Sequence, residues 1–523
     1  MKSRNKKIYT LFYNFIIGLF TLMMIGILFI NLFLANKPNR VKTRVFLLSN
    51  VKLLTISLIL FLVIVLFYMK IIRKYVNKLT KKQCNILLFV YFIMTFIMQI
   101  FIIKKIFFLS GWDVGHLRGA TDQVVQGLKF NSGNGYNWYF SLYPNNVFLL
   151  FVFTVISKFA HIINVDSHLL LSIVGALSVN ISIILLIKMI GTITKNKNLC
   201  VLGVFISTIF IMFTPWIVIP YSDTYAMFFT TSVLYVYLNK DNFNKSLSIF
   251  LMTLLAFIGY KIKPTVIIVL IAIVLIEVWK MIFKVKKIDF KSVFKIAIPL
   301  LASLVLFGAI GSVSNSYLEY KKNTDEEIPL THFLMMGMNP IARGGYSQED
   351  VDYTQSHKGL DNKKQANIKV IKKRLNEYGI SGYCQLMIDK SLRNYNDGSF
   401  AWGGEGSFYL ELSEENGRIA TFLRNVYYNE GKYYHYFESS LQGIWLLILL
   451  LNIFSLGRIK DYKLLAIPLG LIGITVFLLL FESRARYLLL YAPYYIILAV
   501  MGYNNVLKIM NHYIKKFQVN KIN

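Results

Sequence analysis

Charge is what this 523-residue chain has least of. Only 16% of its residues are Asp, Glu, Lys or Arg, against about 25% in an ordinary soluble domain. Cysteine is nearly absent: Cys84 and Cys200 sit at the edges of apolar runs and Cys384 stands alone in a polar stretch. That excludes a disulfide scaffold and every common zinc spacing. Acid is scarce too, with 26 Asp and Glu facing 57 Lys and Arg for a formal net charge of +31. Such an excess would suggest nucleic acid in a soluble protein. Here the basic residues stand in short segments between apolar runs, as at helix ends held against anionic lipid, so no nucleic acid partner is expected. Repeats and low-complexity tracts are missing as well. What is abundant is apolar: 56% of residues are hydrophobic, in runs that repeatedly reach the roughly 20 residues needed to cross a bilayer core. The expectation is an all-α polytopic membrane protein of the cell membrane, with about 12 transmembrane helices and a mixed extracytoplasmic insert.

Candidate spans are 8–34, 47–69, 84–104, 167–189, 199–219, 223–239, 246–260, 265–283, 293–313, 440–456, 464–481 and 487–507. The first follows Lys2, Arg4, Lys6 and Lys7 and is too long for a cleavable signal, so it reads as an uncleaved helix. One further apolar stretch, 147–163, is interrupted by Lys158 and His161. Basic segments at 73–82, 188–197, 284–291 and 458–463, with the tail at 508–516, all face the cytoplasm only if 147–163 does not cross. The chain then divides into a two-helix N-terminal part (1–83), a core (84–313) with a first outer loop at 105–146, an extracytoplasmic insert (314–439), and C-terminal helices with a basic tail (440–523). The loop bearing Lys37, Arg40, Lys42 and Arg44 is the exception to this charge rule. The insert holds 17 of the 26 acidic residues, and 363–378 has helical character.

Ionisable groups at membrane depth are costly and by default mark a site. Asp113, in Gly111-Trp112-Asp113-Val114-Gly115-His116, follows the third span; Asp223 occupies the tight turn Pro220-Tyr221-Ser222-Asp223 between two apolar runs. Asp223 also fits a helix N-cap. Lys261 and Lys263 fall at the outward end of one hairpin, and Arg484 and Arg486 at that of another, against the positive-inside bias. A bound phosphate would favour them, Arg as a fork and Lys as a point charge; pairing with Glu482 or snorkelling to headgroups would also account for them. Trp402 and Glu405 are candidates to line a sugar pocket, with a tight structural turn as the other reading. Asp350-Val351-Asp352 resembles a nucleotide-sugar motif on the wrong side of the membrane and is set aside. His116 and His161 lack the partners of a metal site, and neither metal nor cofactor is expected.

The order of these motifs resembles the GT-C glycosyltransferases, in the branch of protein O-mannosyltransferases and the lipid A aminoarabinose transferase. Trp112-Asp113 stands where that branch has an acidic motif in its first outer loop. Tyr143-Pro144-Asn145-Asn146 matches a Tyr-Pro before a short non-crossing helix, and Asp223 a second acid. Lys263-Pro264 loosely matches a Lys-Gly-Pro turn, and Arg486-Tyr487-Leu488-Leu489 an Arg-Tyr-Leu-Leu. A single acid replaces the Asp-Glu pair of the mannosyltransferases, and spans 8–34 and 47–69 look like an addition to the shared core. The resemblance implies transfer of a sugar from a polyprenyl-phosphate donor to a glycan, lipid or protein acceptor outside the membrane. By that resemblance Asp113 and Asp223 are catalytic, and Lys261, Lys263, Arg484 and Arg486 bind donor phosphate. Trp112, His116, Tyr143, Tyr221, Trp402 and Glu405 would contact substrate. The alternatives are a multi-span glycan polymerase or ligase, and a lipid-linked glycan transporter.

Overall fold

The computed structural model describes all residues except 1, 38–39, 42–45, 129–134, 284–289, 405–410, 413–416, 457–460 and 521–523. Glu405, with Lys42, Arg44, Lys284, Lys286, Lys287, Arg458 and Lys460, lies outside the described residues. The chain is an all-α polytopic membrane protein. Helices α1 (Lys2–Phe29), α2 (Asn50–Phe67), α3 (Arg73–Lys78) and α4 (Lys81–Ile106) come first. They are followed by α5 (Trp112–Val125), α6 (Asn137–Leu142), α7 (Val147–Ile162), α8 (Ser167–Thr194), α9 (Lys197–Ser207) and α10 (Ser222–Leu238). Next come α11 (Lys245–Ile262), α12 (Ile267–Phe283) and α13 (Phe290–Tyr317). The insert carries α14 (Leu330–Met336), α15 (Gln348–Gln355), α16 (Leu360–Tyr395) and α17 (Arg418–Tyr427). The chain ends with α18 (Tyr434–Ile453), α19 (Ala466–Leu480) and α20 (Ala492–Asn520). Among the described residues the only strands are the antiparallel pair β1 (Phe108–Leu109) and β2 (Glu411–Leu412). Among the described residues of the insert, expected to be mixed, the regular structure is helical apart from β2.

By length and composition 11 helices qualify as membrane spans, including 144–162. Helix α7 nevertheless begins and ends at the same end of the bundle. Its N-terminal neighbour Asn146 donates to the Tyr139 hydroxyl (2.7 Å), while Phe153 packs on Tyr225 (5.6 Å) and Lys158 lies over Tyr317 (4.9 Å). Tyr225 starts α10 and Tyr317 ends α13. The segments 197–212 and 222–238, too short for that length criterion, do run from end to end. The opposite end of the bundle is basic: Lys197 donates to the Leu79 carbonyl and Lys463 pairs with Asp241.

The exceptional basic loop after α1 has a local explanation. Arg40 lies 3.5 Å from the Asp389 carboxylate of α16, which also accepts from the Val41 amide. An acid of the insert balances it. Helix α16 itself is longer than the 363–378 read from the sequence, because Gly379 at φ +53 lets the chain kink and continue. Past the kink it runs into the bundle: Tyr395 is fully buried, its hydroxyl within hydrogen-bond distance of Thr475 (2.6 Å) and Tyr495 (2.9 Å). The following stretch 396–402 is buried without regular structure, with Phe400 at φ +57 and Ala401 at φ +65. Its backbone is satisfied locally, as a dry interior requires. Asp397 accepts from the Ser399 amide (2.8 Å) and the Ala401 amide (2.9 Å), and Trp216 Nε1 donates to the Ser399 carbonyl (3.0 Å). A cluster of buried amides then joins this stretch to α2 and α18. Asn50 and Gln442 both donate to Asn396 Oδ1 (2.7 and 2.9 Å), and Gln442 accepts from the Gly398 amide (2.9 Å). The two N-terminal helices are thus built into the bundle.

Outside the bundle a buried charged pair ties elements of the insert together. Arg374 forks onto Asp350 (2.6 and 3.0 Å), and Asn339 donates to the same carboxylate (3.0 Å). Asp350, first half of the Asp350-Val351-Asp352 triplet, is therefore a structural residue. Arg374→Ala would leave it buried and unpaired, which costs about 3–5 kcal/mol. The insert's thermal transition in detergent should drop accordingly, and Arg374→Met with Asp350→Leu should recover most of the loss. Nearby His332 is buried, its Nδ1 2.7 Å from Thr354 Oγ1. Burial pushes its pKa down to about 4, with Asp350 pulling upward and Arg374 adding to the depression. An unfolded His titrates near ~6.5, so the unfolded insert takes up the proton first. The insert should be fully stable above about pH 6.5 and lose stability as pH falls toward about 4. His332→Gln should flatten that profile in a melting series.

Candidate functional site

Three connections between spans meet at the end of the bundle where α10 begins. The turn Pro215–Tyr221 leads into α10, and Asp223 sits in its first turn, where a carboxylate is favoured by the helix dipole. Asp223 does not cap the helix. Tyr221 occupies the cap position without a side-chain bond, and the fully buried Asp223 carboxylate faces other spans. Lys263 Nζ lies 2.5 Å from its Oδ1 and Arg486 Nε 3.2 Å from its Oδ2. Lys263 is the C-cap of α11, with extended backbone (φ −151°, ψ 118°), and Pro264 after it forbids further helix. Arg486 belongs to the 3-10 turn Ala485–Tyr491 that leads into α20.

Aromatic rings complete the setting. The Arg486 guanidinium stacks 3.7 Å from the centroid of the Tyr221 ring, with Trp216 at 5.8 Å. Lys263 Nζ sits 4.4 Å from the centroid of Tyr487. Such contacts orient a desolvated cation without neutralising it. The triad sets one carboxylate between two basic side chains; burial pushes the Lys263 pKa down, and Asp223 pulls it back up.

Asp113 lies in the first turn of α5 beside this triad, near enough to Lys263 to favour its charged form. It is half-buried and accepts a hydrogen bond from the Tyr139 hydroxyl (2.9 Å), which in turn accepts from Asn146 Nδ2 (2.7 Å). Burial, then the neighbouring Asp113 charge, pushes the Tyr139 phenol well up, so it stays a donor. His116 stacks on Tyr139 at 4.7 Å. Burial holds its pKa below the ordinary value while Asp113 pulls upward. Tyr143 and, from the insert, Tyr346 both lie within electrostatic reach of Asp113 and Glu482. Arg484 acts on Tyr346 and Tyr487 from the same side.

The structure thus brings together Asp113, Asp223, Lys263, Arg484, Arg486, His116, Tyr143 and Tyr221. Trp112 lies beside them, half-exposed and held at φ +56. Two candidates lie elsewhere. Lys261 turns away from Lys263 onto Phe307 of α13 (4.1 Å), because at about 100° per residue the last turn of α11 sends side chains two positions apart to opposite faces. Trp402 is buried in the core, donates to the Tyr427 carbonyl (2.6 Å) and packs on Trp216 (5.4 Å), so it offers no face to a sugar. Tyr139, Asn146, Trp216, Tyr346 and Tyr487 were missed. Only Tyr487, inside Arg-Tyr-Leu-Leu, and Asn146, inside Tyr-Pro-Asn-Asn, stood next to a motif that could have drawn attention.

The insert fixes the arginine segment in place. Lys390 of α16 donates to the carbonyls of Gly337 (2.8 Å) and Phe481 (2.6 Å), and the Ser483 amide donates to the Gly344 carbonyl (2.8 Å). Residues 481–484 therefore cannot move without the insert. The two carboxylates should respond differently to neutralisation. Asp223→Asn leaves two buried cations uncompensated and should cost about 3–5 kcal/mol of stability. Half-buried Asp113→Asn should stay within about 1 kcal/mol of the parent. Melting of both variants in one detergent checks this.

No curated protein and no solved structure matches the chain. One family model does, over residues 1–507, so its match includes the two N-terminal helices that looked like an addition to the core. Since it covers nearly the whole length, the chain belongs to the family described as "Conserved hypothetical integral membrane protein".

Proposed function

We propose that the protein is a membrane glycosyltransferase that moves a sugar from a polyprenyl-phosphate donor to an acceptor hydroxyl outside the cytoplasmic membrane. The observation that carries the reading is the convergence of Asp223, Lys263 and Arg486, from three separate span connections, into a buried ion-paired cluster beside the half-buried Asp113. In the reaction the acceptor oxygen attacks the anomeric carbon while its proton passes to the Asp113 carboxylate. The bond from that carbon to the phosphate oxygen breaks, and the electron pair stays on the lipid phosphate. Tyr139, donating to Asp113, is a positioning residue that holds the base for this transfer. Lys263, Arg486 and Arg484 face the charge that grows on the leaving phosphate. Asp223 acts through the cations: it sets their geometry for the ligand.

The test is direct. Purified protein is incubated with polyprenyl-phosphate sugars and an acceptor extract, and release of free polyprenyl phosphate is measured. Release is expected with one donor class. Asp113→Asn should slow it by about 10²- to 10⁴-fold, the usual worth of a positioned base, with the fold intact. Undiminished turnover in that variant removes Asp113 as base, and no release from any donor removes the transferase reading.

A further inference from the structure

Lys261, displaced from the triad, marks a second place where charge and shape are matched. Its ammonium lies over the Phe307 ring (4.1 Å) and near Phe148 (5.9 Å), at the seam of α7, α11 and α13. Further along the seam Lys158 of α7 lies over Tyr317 (4.9 Å). Phe148, Phe151 and Tyr317 link the two in a ladder, with centroids 6.2 and 5.4 Å apart. Among the described residues neither lysine is ion-paired with a carboxylate. The α13 backbone is shaped to receive Lys261. A Cβ on Gly311 would come within 2.6 Å of its Nζ, whereas one on Gly308, a turn deeper, would meet nothing within 4 Å. Below that gap α13 shows bare apolar side chains: Val305 is 70% exposed and Leu301 58%.

These features share one explanation. A lysine that merely snorkels extends its ammonium toward water; this one folds inward onto α13, above an open apolar strip. Aromatic faces hold two cations but leave their charge unmatched. An anion at Lys261 would meet an ammonium held by aromatic faces, with Lys158 further along the seam, and a chain attached to it would run along Gly308, Val305 and Leu301. We propose that the seam of α7, α11 and α13 binds an anionic membrane lipid, its phosphate at Lys261 and its acyl chain against α13. The site is separate from the Asp223 cluster, and the proposal stands whether or not the transferase reading does.

The full chain in nanodiscs is labelled with diazirine-bearing phosphatidylglycerol or phosphatidylcholine, and labelled peptides are mapped. The phosphatidylglycerol probe should mark 301–317 and 147–162 preferentially. Lys261→Gln should lower that labelling at least about fivefold, the worth of one lysine near an anionic lipid. Gly308→Leu, which obstructs the chain's path and leaves both charges, should also lower it, with melting measured to show that the variant folds. Equal labelling by the two lipids, or no change in Lys261→Gln, overturns the proposal. Full displacement of the probe by millimolar inorganic phosphate overturns the role given to the chain.

Discussion

One buried carboxylate organises the end of this bundle. Asp223 is fully buried at the start of a span, and only the two cations reaching it, Lys263 and Arg486, make that position tolerable. Removing a charge from water costs several kcal/mol, and the attraction between partners offsets that only where the geometry is close. The turns before α10, before α12 and before α20 must therefore stand in fixed register. Every side chain of the candidate site hangs on these turns or packs against them. The arrangement also accounts for the rings: Tyr221, Trp216 and Tyr487 exclude water from the cations and hold their direction.

The insert is more than a cap on the membrane part. Its longest helix kinks at Gly379 and drives Tyr395 into the bundle, and the buried stretch 396–402 lies between α2, α10 and α18. Non-helical backbone at such depth persists only where protein satisfies its polar groups, and here side-chain amides, Asp397 and the Trp216 indole contribute. Because Lys390 and Gly344 hold residues 481–484, the same insert that fills the bundle also sets the position of Arg484 and Arg486. Folding of the insert and assembly of the site are one event.

Legibility in the sequence followed physical range. Long apolar runs separated by basic segments depend on local composition alone, so the spans and the all-α character could be read residue by residue. Asp113, Asp223, Lys263 and Arg486 were visible because a charge beside an apolar run is costly enough to need a reason. Lys261 and Trp402 show where the method stops. Neither composition nor hydropathy distinguishes Lys261 from Lys263, with one residue between them; the turn of the helix end sends them to different neighbours. Trp402 lies in a Gly-rich polar stretch that reads as surface, and its burial follows from the kink at Gly379 upstream.

Composition and apolar period alone determined that the chain lies in a membrane as a helical bundle, since transfer of side chains from water to lipid is a property of each segment. They also determined which polar residues stand at span ends. Tertiary structure decided which of those residues meet. The cations on Asp223, the tyrosine on Asp113 and the acid of α16 that balances Arg40 come from connections far apart in the chain. No local energy selects such partners; they are chosen by the need to leave no buried charge alone.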